Sequence, residues 1–298
     1  MSTRLVRPTT LEELHECQKN FVTKESIERG LAFQPQPTDV IVTPYSKSGT
    51  TWVQQIVHGL RTRGSMDFRE ITAVIPWLEL AYDLAIDLDQ PQVAEPRAFK
   101  SHLGWDQVPK GGRYINVVRD PKDVVVSMYH FMAGWYFETG AISLTQFAWE
   151  EFMRNRRSHG YWSHLRSWWP HRNDPEVLFM CYEDMKQDLP GTIRRIAAFI
   201  GCELDTELFD IVVRQSSVDF MREHKHQFDD NLLREARDEA CGLPPGGDSS
   251  KVRTGNVGDH VQELSQDIID ELDVIWREEI EAQFGFASYA ELRAALAG

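Results

Sequence analysis

The segment from Asp39 to Leu60 constrains this chain more tightly than any other. Residues 39–44 (DVIVTP) form a short apolar run broken by Pro44, the pattern of a buried strand. After the turn SKSG (46–49), apolar residues return at helical spacing: Val53, Ile56, Val57 and Leu60. The order is strand, tight loop, helix. A strand feeding straight into a helix belongs to a crossover unit and implies a parallel sheet covered on both faces.

The rest of the chain repeats this grammar. Residues 97–101 (RAFKS) read as a short strand and 113–118 (RYINVV) as a clearer one, followed at once by RDPKDVVVSMYHFM. There Asp120 can cap a helix and Pro121 can take its first position. Residues 176–182 (EVLFMCY) give a further strand, then a helix through TIRRIAAFIG that Gly201 ends. The tryptophan-rich stretch 134–175 reads as helical, and a last amphipathic helix runs through about 264–284. Residues 242–259 (GLPPGGDSSKVRTGNVGD) are the one long loop-like segment, of a length usual for functional lids or disordered connections. With no repeat and no boundary signal, residues 1–298 are read as a single α/β domain with a mainly parallel central sheet flanked by helices.

The loop Tyr45-Ser46-Lys47-Ser48-Gly49-Thr50-Thr51-Trp52 has the chemistry of an anion cradle. A helix start presents unpaired N–H groups and the positive end of the helix dipole. Gly49 permits close backbone approach, Lys47 adds a full charge, and Ser48, Thr50 and Thr51 add hydroxyl donors. It is not the G-x-x-x-x-G-K-[ST] pattern, because Lys47 precedes Gly49. An ordinary strand-to-helix turn with a good cap fits the same local residues.

Composition narrows the partners. The formal net charge of −14 disfavours nucleic acid and anionic membranes, which call for a basic surface. It does not disfavour a small anion. Charges beyond roughly 8 Å are largely screened, whereas one cation at about 4 Å is worth roughly 4 kcal/mol at an effective dielectric near 20. Local lysines and arginines therefore decide. The four cysteines (Cys17, Cys181, Cys202, Cys241) are scattered, so neither a disulfide framework nor a zinc site is expected. The polar first residues lack a signal-peptide core, and no apolar run approaches the ~18 residues of a membrane span. A soluble, cytoplasmic protein is expected. The nine tryptophans suit either a thick core or a pocket for flat apolar ligands.

The string YSKSGTTW closely resembles the 5′-phosphosulfate loop YPKSGTTW of the cytosolic sulfotransferases, with Ser46 in place of proline. Three further matches follow in the family's order. VVRDPKDVVVSMYHF (117–131) resembles the 3′-phosphate segment, which implies Arg119 and Ser127 as phosphate contacts. KVRTGNVGDH (251–260) resembles R-K-G-x-x-G-D and implies Arg253, Thr254 and Gly255, with Thr254 standing where lysine is expected. FKSHL (99–103) resembles K-T-H-L, whose histidine is the base. The resemblance, from about residue 39 to 260, implies a P-loop-like sulfotransferase fold. It also implies adenosine 3′-phosphate 5′-phosphosulfate (PAPS) as donor, adenosine 3′,5′-bisphosphate (PAP) as product, and no metal. Less specific matches imply Trp52 and Tyr182 at the adenine, and Ser217 and Met221 beside it, where Ser216-Ser217-Val218 replaces T-S-F. Phe131 of the matched Y-H-F is implied in the acceptor pocket. The C-terminal dimer motif K-x-x-x-T-V-x-x-x-E has no convincing copy, so the oligomeric state stays open.

On this reading His102 takes the acceptor proton, Lys47 neutralises the bridging oxygen, and Lys100 orients the acceptor or the sulfuryl oxygens. Lys100 sits two residues before His102, on the same side of an extended strand. The acceptor is a small molecule: a phenol, another small apolar alcohol, or an amine. His58 and His130 are expected to be structural or exposed, and the aromatics between 131 and 169 are expected in the core. The loop 242–259 is expected to be mobile without nucleotide and ordered with it. Three competing readings are a P-loop nucleotide kinase using ATP and Mg²⁺, a non-catalytic protein that binds adenosine bisphosphate, and, within the family, a carbohydrate sulfotransferase.

Overall fold

The structure, a computed structural model, describes residues 5–154, 160–249 and 251–297; Ser250 of the long loop lies outside them. Two helices, α1 (Leu11–Gln18) and α2 (Lys24–Ala32), precede β1 (Val40–Val42) and α3 (Thr50–Arg61). The short α4 (Ile71–Val74) leads to β2 (Ala98–Lys100), then β3 (Arg113–Val118) and α5 (Pro121–Trp135). After α6 (Leu144–Phe147) and α7 (Tyr161–Trp168) come β4 (Val177–Cys181), α8 (Tyr182–Gln187) and α9 (Leu189–Ile200). The chain closes through α10 (Thr206–Gln215), α11 (Val218–Glu223), α12 (Asn231–Arg237), α13 (His260–Glu263) and α14 (Gln266–Trp276), followed by shorter helical pieces.

The four strands lie in the order β2-β1-β3-β4, all parallel. Ile41 is in register with Phe99 and Tyr114, and Val42 with Ile115. Period-two alternation sorts these residues by face. Ile41, Phe99, Tyr114 and Val118 join the core cluster with α5 and α7; Val40, Val42, Ile115 and Val117 join the one with α3 and α9. Strands buried on both faces explain why β1 and β3 read as continuous apolar runs.

At the start of β1, Asp39 is fully buried and accepts from Arg97 Nε (2.9 Å) and Nη2 (2.6 Å), which ties β1 to β2. The caps follow the sequence. Asp120 accepts from Lys122 N with Pro121 next in line, and Gly201, left-handed at φ +74°, ends α9. The stretch 134–175 is helical in pieces, and most of its aromatics are core; Trp149 is an exception, 39% exposed. The strand around 97–101 is only three residues long; Lys100 N donates to Pro76 O on its outer side, while Ser101 N still donates to Val42 O of β1.

Neighbours on opposite sides of β1 come next in sequence, β2 and then β3. In such a sheet the crevice beyond the strands' C-terminal ends is where ligands bind. The loops after β1, β2 and β3 carry Lys47, His102 and Arg119.

Candidate functional site

The loop after β1 turns sharply into α3. Lys47 is left-handed at φ +68° and Gly49 at φ +97°. A side chain at Gly49 would also stand 3.0 Å from the Tyr182 ring, so both the turn and the close approach require glycine. Gly49 is the N-cap of α3 and supplies no side-chain acceptor to the first N–H groups. Those groups are therefore available to an anion. Ser48 Oγ and Thr50 Oγ1 are buried and have no protein partner. Buried hydroxyls without partners are costly, and beside a helix N-terminus they suit phosphate oxygens.

Lys47 Nζ lies 4.3 Å from the centre of the Phe131 ring, and Lys100 Nζ lies 3.7 Å from that of Trp77. Burial pushes both ammonium groups down to about 7, helped in each case by the nearby charge of Lys251. An anion bound among them would reverse that shift.

His102 follows β2 directly. Its backbone N–H donates to Glu79 Oε1 at 2.9 Å, and its ring packs edge-on against Trp77. Nδ1 lies 2.7 Å from the Pro44 carbonyl oxygen. A carbonyl only accepts, so Nδ1 carries the proton and Nε2 keeps its lone pair. Burial holds the imidazole well below 6.5, helped by the charge of Lys100, so it is neutral at pH 7. A neutral histidine of fixed tautomer is a ready proton acceptor.

Arg119 follows β3. Its Nη1 donates to Lys47 O (3.1 Å) and its Nη2 to Asn256 O (3.0 Å), while its Nε is buried without a partner. The guanidinium lies 4.4 Å from the Tyr182 ring centre, and Tyr161 Oη holds the Arg119 carbonyl at 2.6 Å. Trp52 is fixed through Nε1–H to Ser216 O (2.8 Å) and meets Tyr182 edge-on at 5.5 Å.

One cavity of about 330 Å³ gathers these groups. Lys47, Gly49, Thr50, Thr51, Trp52, Lys100, His102 and Arg119 line it. So do Ser127, Phe131, Tyr182, Met221, Arg253, Thr254 and Gly255. Ser48 and Ser217 are not on its wall. Ser48 is buried, and Ser217 caps α11 by accepting from Phe220 N. The Arg253 guanidinium is engaged by Asp259 (2.7 Å) and Glu263 (3.3 Å), and Thr254 Oγ1 donates to Asp259 (3.1 Å). The loop is seated on α5, where Asp123 accepts from Gly258 N and from His260. His58 is buried, with its pKa pushed down to about 4, and His130 pairs with Glu263.

Several wall residues carried no usable signal in the sequence. Phe21, Trp77, Trp135 and Tyr136 form an aromatic wall, with ring centres of Phe21 and its neighbours 5.6–6.2 Å apart. Asp230 and Lys251 also face the cavity. Only Lys251 had a local pointer, its place two residues before Arg253. Among the described residues no group of His, Cys, Asp or Glu is placed to hold a metal ion, and no helix is long and apolar enough to cross a membrane.

Residues 37–284, which enclose the strand-end loops and the 251–260 segment, match the model of the sulfotransferase domain. The chain belongs to the sulfotransferase family. An amine sulfotransferase of Oryctolagus cuniculus is 30% identical over 272 residues, covering 88% of this sulfotransferase and 87% of that one. Sulfotransferase 1B1 of Mus musculus is 30% identical over 270 residues, covering 85% and 86%. Among solved structures, mouse sulfotransferase SULT7A1 complexed with PAP superposes with a TM-score of 0.67 at 22% identity, covering 93% of both chains. Retinol dehydratase complexed with androsterone and PAP gives 0.69 at 22% identity, covering 87% of this chain and 86% of that one. These likenesses bear out the P-loop-like sulfotransferase fold expected from the sequence.

Proposed function

We propose that this sulfotransferase moves a sulfuryl group from PAPS to a hydroxyl of a phenol or small apolar alcohol, or to an amine, with His102 as the general base. The observation that carries the reading is His102 itself: neutral, with its proton fixed on Nδ1 and Nε2 left as acceptor, in a cavity it shares with Lys47, Lys100 and Arg119. PAP in two solved relatives of the same fold supports the nucleotide class, and an amine sulfotransferase among the relatives keeps amines beside alcohols.

The donor supplies the sulfuryl group; the chain's residues position, neutralise and accept. His102 Nε2 takes the acceptor proton as the acceptor atom bonds to sulfur and the bond from sulfur to the bridging oxygen breaks. Lys47 meets the charge that develops on that oxygen, and Lys100 holds the sulfuryl oxygens or the acceptor. In-line transfer of this kind depends chiefly on positioning and charge stabilisation. Ser48, Gly49, Thr50 and Thr51 take the 5′-phosphate. Arg119, Ser127, Arg253, Thr254 and Gly255 take the 3′-phosphate, with Arg253 exchanging Asp259 and Glu263 for it. Trp52, Tyr182, Ser217 and Met221 surround the adenine. Phe131, Phe21 and Trp77 offer flat apolar faces to the acceptor.

Titration of the protein with PAP in EDTA, for wild type and Arg119→Ala, tests this. Micromolar binding that the substitution weakens by at least about tenfold supports the reading, since breaking a buried charged contact typically costs 2 kcal/mol or more. Absence of PAP binding, with ATP and Mg²⁺ bound instead, replaces it with the kinase.

A further inference from the structure

We propose that Lys251 is a third lysine of the transfer site, aimed by Asp230, and that it grips the sulfuryl end of the donor. This rests on the sulfotransferase reading above. Lys251 Nζ donates to Asp230 Oδ1, and both residues line the cavity that holds Lys47, Lys100 and His102. The lysine side chain is 10% exposed and the aspartate 2%. An ammonium has three N–H donors; Asp230 takes one, and among the described residues no other partner takes the rest.

The way Asp230 is placed argues against a merely structural pair. It stands at the N-cap of α12, where an aspartate ordinarily accepts from the helix N–H groups. Here it makes no cap bond, and its backbone is left-handed at φ +56°. Local helix stability is given up so that the carboxylate can face Lys251. Buried ion pairs add little net stability, because desolvation offsets their attraction, so folding alone does not explain the arrangement.

Charge then identifies the occupant. Lys251 is the charged neighbour that most depresses both Lys47 and Lys100. The carboxylates facing these lysines are Asp230 in the wall, with Glu70 and Glu79 also within reach of Lys100. Burial raises both glutamates, Glu70 to about 7, which weakens them as counter-charges. Three buried lysines around one cavity, with Asp230 in an ion pair with one of them, favour an anion between them. On the reading above Arg119 and Arg253 serve the 3′-phosphate and the helix start after Lys47 serves the 5′-phosphate, which leaves the sulfonate as the anion beside Lys100, His102 and Lys251. Thr254 leaves this loop one lysine short of the family pattern and spends its hydroxyl on Asp259. Lys251 places a positive charge at the transfer end instead.

The test compares two ligands that differ only by the sulfuryl group. PAPS and PAP are titrated into wild type, Lys251→Met, and the double variant Lys251→Met/Asp230→Asn, in EDTA. In both variants the PAPS Kd should rise about tenfold, the scale of one charge-assisted hydrogen bond, while the PAP Kd stays within about threefold. The double variant removes the unpaired carboxylate that the single one leaves. Equal weakening of both ligands would mean that Lys251 only holds the loop, and no weakening would remove it from the site; either result overturns the proposal. Wild type that binds neither ligand overturns the sulfotransferase reading with it, whereas wild type that binds both isolates the failure to Lys251.

Discussion

Arg97 and Asp39 join β2 to β1 at 2.6 and 2.9 Å with side chains 6% and 0% exposed, while Arg253 and Asp259 join two points of one loop at 2.7 Å with the arginine 30% exposed. Bond lengths and residue types match; surroundings do not. The first pair is sealed at the N-terminal ends of the two strands whose other ends lead to Lys47 and His102, and nothing can replace either partner. The second faces the cavity, where a phosphate could take the carboxylates' place. The site thus has a half whose geometry is preset by strands and a half whose geometry is held by exchangeable charges. On the proposed reading, catalysis belongs to the first half, and part of the nucleotide grip to the second.

The largest effect expected from this division is at His102. His102→Gln should lower sulfuryl transfer to a probe acceptor such as 2-naphthol by about 10²–10⁴-fold, the usual worth of a general base. Its PAP affinity should stay near that of wild type. A parallel loss of PAP binding would show that the two halves are not separable. Because the ring is held well below 6.5, transfer by the wild type should persist at pH values below 6.5 before protonation of the base stops it.

The two ion pairs themselves give the next effect. Asp39→Asn leaves a buried guanidinium short of its counter-charge and should cost about 3–5 kcal/mol in denaturant unfolding. Asp259→Asn, at a partly exposed pair, should cost about 1 kcal/mol or less. Equal losses would abolish the contrast.

The smallest effect is in pH. Lys47 and Lys100 are lowered to about 7 in the free protein, and an anion raises them again. Well below pH 7 both are already protonated, and the two lysines should add no pH dependence of their own to PAPS affinity. Above pH 7 binding must take up protons, so affinity should fall with rising pH, by at most about tenfold per unit for each lysine. Calorimetry in buffers of different ionisation enthalpy reads the uptake directly. A level profile from pH 7 to 9 would mean that neither lysine meets the nucleotide.

Sequence legibility followed the same division. Strand, loop and helix around Lys47 occupy some twenty consecutive residues, so their apolar spacing and glycine could be read locally. Arg119 was legible because Asp120 and Pro121 mark where its strand ends. His102 needed its motif, since β2 is too short to show a period. The aromatic wall was not legible. Phe21 and Trp77 reach the cavity through packing between segments far apart in sequence, and no local pattern distinguishes them from core residues. Asp230 was hidden for another reason: an aspartate before a helix reads as a cap, and only its left-handed backbone shows that it faces elsewhere.

Arg119 touches both halves at once, donating to Lys47 O on the sheet side and to Asn256 O on the loop side. If Arg119 also holds the 3′-phosphate, as proposed, the latch is a ligand contact as well, and whatever strengthens its hold on the nucleotide also keeps the loop against the sheet end. On the proposed reading, one guanidinium then bridges the loop, the sheet end and the product, so the release of the loop and the release of the product share a single contact.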